Sequence, residues 1–280
     1  MHIGITAFLT DRSMAPAALA VAAEERGYHS VYLPEHTHMP VHGPRPPSVV
    51  DGVREADYPR SLDPFTALAS AAAVTDRILL GTGVALVAQH DPIVLAKQIA
   101  TLDHLSSGRF VLGMGYGWNR REAADHGVDF SQRRAVAREK VLCMQALWTE
   151  DEAEFHGSHV DLPPSYAWPK PVQQPRLRTL LGGGPGPALF AAIAEYADGW
   201  MPIGGAGVGA ALGDLRRAME DAGRDPDRLE VVPFGTVPDE GKLDHFAAIG
   251  CSEVVLRVPS GPTGDMVRVL DDFTRFVGRR

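Results

Sequence analysis

Apolar residues recur along this chain in two alternating rhythms. Short apolar runs, bounded by Gly, Pro or Asp, predict strands at Ile3–Phe8, Ser30–Leu33, Ile78–Val84 and Arg109–Leu112. Four more follow at Arg178–Leu181, Gly199–Met201, Leu229–Phe234 and Glu253–Val258. Between them run amphipathic stretches with a helical period. These predict helices at Ala15–Arg26, Asp63–Val74, Pro92–Leu105 and Gln132–Trp148. The later ones are Ala188–Tyr196, Val208–Ala222, Glu240–Ile249 and Asp265–Val277. In the third helix Leu95, Ile99, Leu102 and Leu105 fall on one face; in the fourth, Val141, Met144 and Leu147 do. Gly27 reads as a helix stop, and Asp63-Pro64 and Asp91-Pro92 as caps with a first-turn proline. Two units even look alike: Glu25 to Leu33, and Ala248 to Leu256.

Eight strand-helix units in one chain predict an α/β fold, a closed (β/α)8 TIM barrel, with an open doubly wound sheet as the competing architecture. An irregular excursion from Thr149 to Arg176 makes an insertion between helix four and strand five. No Ser/Gly-rich linker divides the chain, so residues 1–280 read as a single domain. In such a barrel the reacting groups lie where strands end, on the C-terminal face. That rule ranks the candidates.

Composition narrows the partners. A formal net charge of −8 argues against nucleic acid and anionic membranes. Two cysteines, Cys143 and Cys251, stand in different segments without metal-ligand spacing, which suits a reducing cytoplasm. The first residues, Met1-His2-Ile3-Gly4-Ile5, lack the basic-then-apolar pattern of a secretory signal. The longest nearly apolar run, Ile78 to Ala88, is too short to span a bilayer.

The richest candidate is Gly182-Gly183-Gly184-Pro185-Gly186-Pro187, after strand five and before helix five. Three glycines let backbone approach a ligand, and the free amides of a helix start attract an anion, most often phosphate. A plain strand-to-helix turn is the alternative. After strand two, Glu35-His36 reads as a proton-transfer or substrate-orienting pair, or as a pair that anchors a long loop. His36 and His38 form an HxH pair, but no cluster at another strand end completes a metal site, so no metal is expected. Gly83 within strand three marks a bulge or a close ligand approach. The Gly113-Met114-Gly115-Tyr116-Gly117-Trp118 run after strand four reads as a flexible cofactor-facing rim with an aromatic wall, a core position being the alternative for Trp118.

In this order the pieces resemble the luciferase-like monooxygenase superfamily, closest to its deazaflavin (coenzyme F420)-dependent oxidoreductases. The matching stretches are His2 to Ile5, Leu33-Pro34-Glu35-His36, Ile78 to Val84, Asp91-Pro92 with Leu95-Ala96-Lys97, and Leu102 to Arg109. Gly113 to Trp118, Phe155-His156-Gly157, Pro169 to Gln173 and Gly182 to Gly184 complete them. The resemblance implies a flavin-like ring in the barrel mouth. A non-prolyl cis peptide at Gly83-Val84 would back one face of it. The cofactor phosphate would meet Gly182, Gly183 and Gly184, with Gly115, Tyr116 and Gly117 also lining the cofactor. His36 would stand near the reactive ring carbon, and relatives suggest a homodimer. In the sugar-phosphate dehydrogenase branch a Glu follows the strand-four glycines; here that place holds Trp118, which speaks against a sugar phosphate.

The reading that follows is F420-dependent hydride transfer to or from a small organic substrate. His36 carries the proton, Glu35 orients it, and Trp118 and Tyr116 wall the substrate side. The loop Met39–Arg60 and the excursion Phe155–Gln174 would close as lids. One rival is an FMN-dependent monooxygenase with a partner reductase. A second is a catalytically silent flavin-binding protein, and a third a metal-dependent hydrolase using His36 and His38.

Overall fold

The computed structural model describes residues 1–42 and 55–278. The chain alternates strand and helix: β1 (His2–Thr6), α1 (Pro16–Glu25), β2 (Ser30–Leu33), α2 (Pro64–Ala72), β3 (Leu79–Thr82), α3 (Pro92–Leu105) and β4 (Phe110–Met114). Next come α4 (Arg120–Asp125), α5 (Arg133–Thr149) and an antiparallel hairpin, β5 (Ala153–His156) with β6 (Asp161–Ser165). The remainder is β7 (Thr179–Gly182), α6 (Pro187–Tyr196), β8 (Gly199–Met201), α7 (Val208–Asp221), β9 (Glu230–Val231), β10 (Phe234–Thr236), α8 (Glu240–Ala248), β11 (Glu253–Arg257) and α9 (Thr263–Phe273). Asp63 and Asp91 cap α2 and α3 as their sequence spacing predicts, accepting from the first-turn amides. Leu95, Ile99 and Leu102 are buried, but Leu105, expected on the same face, is exposed at the helix's last residue.

The parallel strands run in the order β10-β11-β1-β2-β3-β4-β7-β8-β9. Strands β9 and β10 are two halves of one chain segment joined by Val232-Pro233. On one side Val232 N donates to Trp200 O of β8 (2.9 Å); on the other, Val255 N of β11 donates to Pro233 O (2.9 Å). The ring therefore closes, with the helices outside, as a (β/α)8 barrel. Pro233 has no N–H to give, which is why the ladder breaks there.

Side chains fill the barrel. Tyr32, Val111, Leu180, Met201, Val232, Phe234 and Val255 pack as one apolar layer. Below them, at the strand starts, Glu253 is buried and accepts from Ser30 Oγ, while Arg178 pairs with Glu230. Arg178 also stands 3.8 Å from Glu253. Burial, ahead of every other influence, pushes the Glu253 carboxyl up. The floor is thus closed, and the C-terminal mouth is the end left for a ligand.

The excursion read as a lid is instead fastened to α3 and α5. Lys97 Nζ bonds to Trp168 O, His104 Nε2 to Lys170 O (2.7 Å), and Lys170 Nζ to Leu147 O (3.0 Å). Gln173 docks on the fully buried Asp103: its amide N donates to Oδ2 (3.0 Å) and its Nε2 to Oδ1 (2.6 Å). At the hairpin turn, Glu139 of α5 accepts from the amides of Ser158, His159 and Val160. Of the other expected lid, Met39–Arg60, residues 43–54 lie outside the described residues.

Candidate functional site

Glu35 and His36 are neighbours in an extended segment after β2, so their side chains leave in different directions. The partnership expected between them is not formed. Glu35 is buried; its Oε2 accepts from Leu86 N (2.6 Å) and its Oε1 meets His90 Nε2 (2.7 Å). It ties the β2 end to the loop after β3. His36 instead places Nδ1 2.8 Å from Glu122 Oε2, with both side chains buried, and Glu122 Oε1 accepts from Thr37 N (3.2 Å). A carboxylate that holds Nδ1–H leaves Nε2 as the imidazole's reactive nitrogen. His38 turns elsewhere, to Asp125 Oδ2 (3.0 Å).

Glu122 was not singled out in the sequence, although a signal existed. Asn119-Arg120-Arg121-Glu122 has the spacing of a helix cap. Asn119 Oδ1 does accept from Arg121 N (3.1 Å) and Glu122 N (3.3 Å), opening the short helix α4 that points Glu122 at His36. His90, on the far side of Glu35, has a raised pKa. Burial opposes its protonation, but the hydrogen bond and charge of Glu35 outweigh that.

Aromatic rings surround His36. Trp118 lies 5.6 Å away between ring centres, Tyr58 5.2 Å, and Phe8 6.4 Å in a stacked arrangement. Trp118 therefore stands beside His36, as a wall residue would. Phe8, from the loop after β1, and Tyr58, from the turn Glu55–Arg60, are members that the sequence reading missed. Tyr116 goes the other way. Its hydroxyl meets that of Tyr196 on α6 (2.7 Å), and the Arg134 guanidinium covers its ring. It fastens the rim to the helices rather than facing His36.

The Gly83-Val84 peptide is cis and non-prolyl, as the resemblance implied. The glycines around it make room for one another. A Cβ on Gly115 would come within 2.5 Å of Val84 Cγ2, and one on Gly182 within 3.1 Å of Val84 Cγ1. Gly115 and Gly182 are thus seats for the Val84 side chain. Gly117 takes the left-handed conformation (φ +74°) that lets the rim turn into α4. In the glycine loop, Gly183 packs on Leu189, and Trp200 Nε1 donates to Gly183 O (2.9 Å). Gly184 and Gly186 are different: an added Cβ would meet nothing within 4 Å. Gly186 is the N-cap of α6, and no side chain caps that first turn. An open glycine cradle over uncapped helix amides fits a phosphate group.

A closed (β/α)8 barrel with a histidine-carboxylate pair, a cis bulge and a glycine cradle at its C-terminal mouth defines a luciferase-like oxidoreductase scaffold. The chain belongs to the luciferase-like monooxygenase family, whose model matches residues 14–238. An uncharacterised protein of Mycobacterium tuberculosis is 42% identical over 282 residues, covering 100% of this chain and 97% of that one. An F420-dependent glucose-6-phosphate dehydrogenase of Kineococcus radiotolerans is 33% identical over 222 residues, 76% of this chain and 60% of that protein. Among solved structures, an F420-dependent secondary alcohol dehydrogenase in complex with an F420-acetone adduct superposes with a TM-score of 0.77 at 17% identity, covering 99% of this chain and 98% of that one. Among the described residues no helix is long and apolar enough to cross a membrane.

Proposed function

We propose that this protein is an F420-dependent oxidoreductase that moves a hydride between the deazaflavin and a carbon of a small organic substrate. The observation that carries the reading is the His36–Glu122 pair, held at 2.8 Å at the same mouth as the Val84 bulge and the open cradle at Gly184. The cofactor, when bound, supplies the two-electron chemistry. Gly182 to Gly184 and the first turn of α6 would hold its phosphate, and Gly83-Val84, backed by Gly115, would support its ring system. His36 gives or takes the substrate's proton through Nε2. Glu122 fixes the ring that does so and stabilises its protonated form. Trp118, Tyr58 and Phe8 keep water from that proton and offer an apolar, aromatic surface to the substrate. The 33% identity to an F420 enzyme supports the choice of cofactor.

Titration of the purified protein with F420 and with FMN, followed by tryptophan fluorescence, tests the cofactor. Saturable quenching by F420 is the expected result. Binding of FMN alone, with oxygen uptake during turnover and a need for a partner reductase, would replace the reading with a monooxygenase. Replacing His36 with Ala should lower kcat by roughly 10²–10⁴-fold while leaving cofactor affinity in place. Full activity in that variant would remove His36 from the mechanism.

A further inference from the structure

A cavity of about 400 Å³ opens on the outside of the barrel, where α3 starts, beside α5 and the turn of the β5–β6 hairpin. That is room for a small molecule. Its wall carries His90, His126, Lys140, His159 and Gln89. The fold leaves part of their bonding capacity unused. Lys140 Nζ donates to Ala88 O and His90 O, and an ammonium has a third N–H to give. His90 spends Nε2 on Glu35 Oε1 (2.7 Å), and His126 spends Nε2 on Thr37 Oγ1 (2.7 Å). Among the described residues, neither Nδ1 has a partner. Gln89 is half-buried, and its Oε1 is shut off from solvent without a hydrogen-bond partner.

The charge gathered here is positive. His90 has a raised pKa, because Glu35 outweighs its burial. Lys140 is half-buried, and burial pulls its pKa down. His126 is pulled down as well, by burial first and then by His38, with His90 adding its own repulsion. The two acids on the wall are committed elsewhere. Asp91 Oδ1 caps α3, accepting from Ile93 N and Val94 N (2.9 Å each), and Asp161 Oδ1 holds His156 Nδ1 (2.6 Å). An anion in the cavity would relieve repulsion among groups that now oppose one another.

The cavity is also wired to the mouth on two sides. Through His90 it reaches Glu35, whose Oε2 holds Leu86 N, two residues past the Gly83-Val84 bulge. Through His126 it reaches Thr37, whose amide donates to Glu122 Oε1 (3.2 Å), and Glu122 holds His36. We propose that this cavity is a second anion site, separate from the glycine cradle. It takes a small molecule bearing a phosphate or a carboxylate, and its occupation is transmitted to His36 through Thr37 and Glu122. The site does not depend on which cofactor the mouth holds.

The test titrates inorganic phosphate and, separately, acetate into the whole protein at fixed pH and ionic strength. The imidazole carbon-bound proton signals of His36, His90 and His126 are followed by NMR. We expect saturable shifts at His90 and His126, with a dissociation constant on the order of 1 mM for the better anion, which names the group. The His36 signal should move in the same titration. Lys140→Gln should weaken binding at least about tenfold. The pair His126→Gln/His159→Gln, at exposed positions that leave the fold intact, should weaken it about two- to fivefold, read at His90. Thr37→Val should keep the His90 shift and silence that of His36. Gly184→Asp places a like charge in the cradle, where an added Cβ meets nothing within 4 Å, and should leave the shifts unchanged. No saturable shift at His90, the same shift with chloride, or loss of the shifts in Gly184→Asp overturns the site. A bound anion that leaves His36 unmoved overturns the transmission.

Discussion

Glu35 and His36 share a short segment yet serve different walls of the mouth. Glu35 spans to Leu86 and His90 on the β3 side; His36 spans to Glu122 on the β4 side. The residue types were legible in the sequence, but the pairing was not. Glu122 is 86 positions from His36, and only the side-by-side pairing of β2, β3 and β4 brings α4 beside the β2 end. Tyr116 turned from the wall for a related reason: its hydroxyl meets that of Tyr196, a partner 80 positions away at the end of α6. Glu122→Ala should lower kcat by about 10–10³-fold with little change in cofactor affinity, because the imidazole loses its orienting partner. Single-turnover rates and fluorescence titration would show this; a wild-type rate would leave Glu122 with a purely structural part.

At the scale of elements, several stretches that carried the family resemblance are fastenings. The Leu102 to Arg109 and Pro169 to Gln173 stretches meet through Asp103 and Gln173. Gln173 Nε2 also reaches Phe110 O (2.7 Å), and its Oε1 accepts from Arg178 N (3.1 Å). One side chain therefore ties α3, β4 and the entry to β7 together. Gly157 is small because a Cβ would come within 2.3 Å of Glu139 Oε2, the carboxylate that caps the hairpin turn. Gln173→Ala would keep the backbone bond to Asp103 Oδ2 but take the side-chain donor from buried Asp103 Oδ1 and the Phe110 carbonyl, costing about 1–3 kcal/mol of stability. Chemical denaturation would read that as a lower midpoint at unchanged slope. The helices and strands themselves were legible, since apolar period and caps are local. The hairpin β5–β6 and the helix α4 were not; each is short and owes its form to α5 and to the rim.

For the whole molecule, the ring of strands has a polar floor and an aromatic mouth, and acid acts on it from the floor side. His29 lies in the turn before β2, stacked on His2 at 4.0 Å between ring centres. Burial, reinforced by the His2 and Arg178 charges, lowers its pKa to about 4. The unfolded chain takes up that proton near pH ~6.5, whereas the folded protein resists it. Its stabilising contribution is therefore complete above about pH 6.5 and declines as pH falls towards about 4. His90, with its raised pKa, acts with the opposite sign, but its window lies above that of an ordinary histidine. Thermal melts between about pH 6.5 and 4 should thus show a falling Tm, and His29→Gln should flatten the slope. A slope unchanged in that variant would assign the acid sensitivity to other groups. The eightfold alternation made the barrel legible in advance, while its seam at Val232-Pro233 was not, because the break in the ladder depends on which strands flank it. That ring has a consequence for synthesis. His2–Thr6 leaves the ribosome long before one of its two partners, Glu253–Arg257. Throughout translation the nascent sheet keeps a naked edge beside its first strand, so any message cut short before that point yields a product primed to stick to other chains.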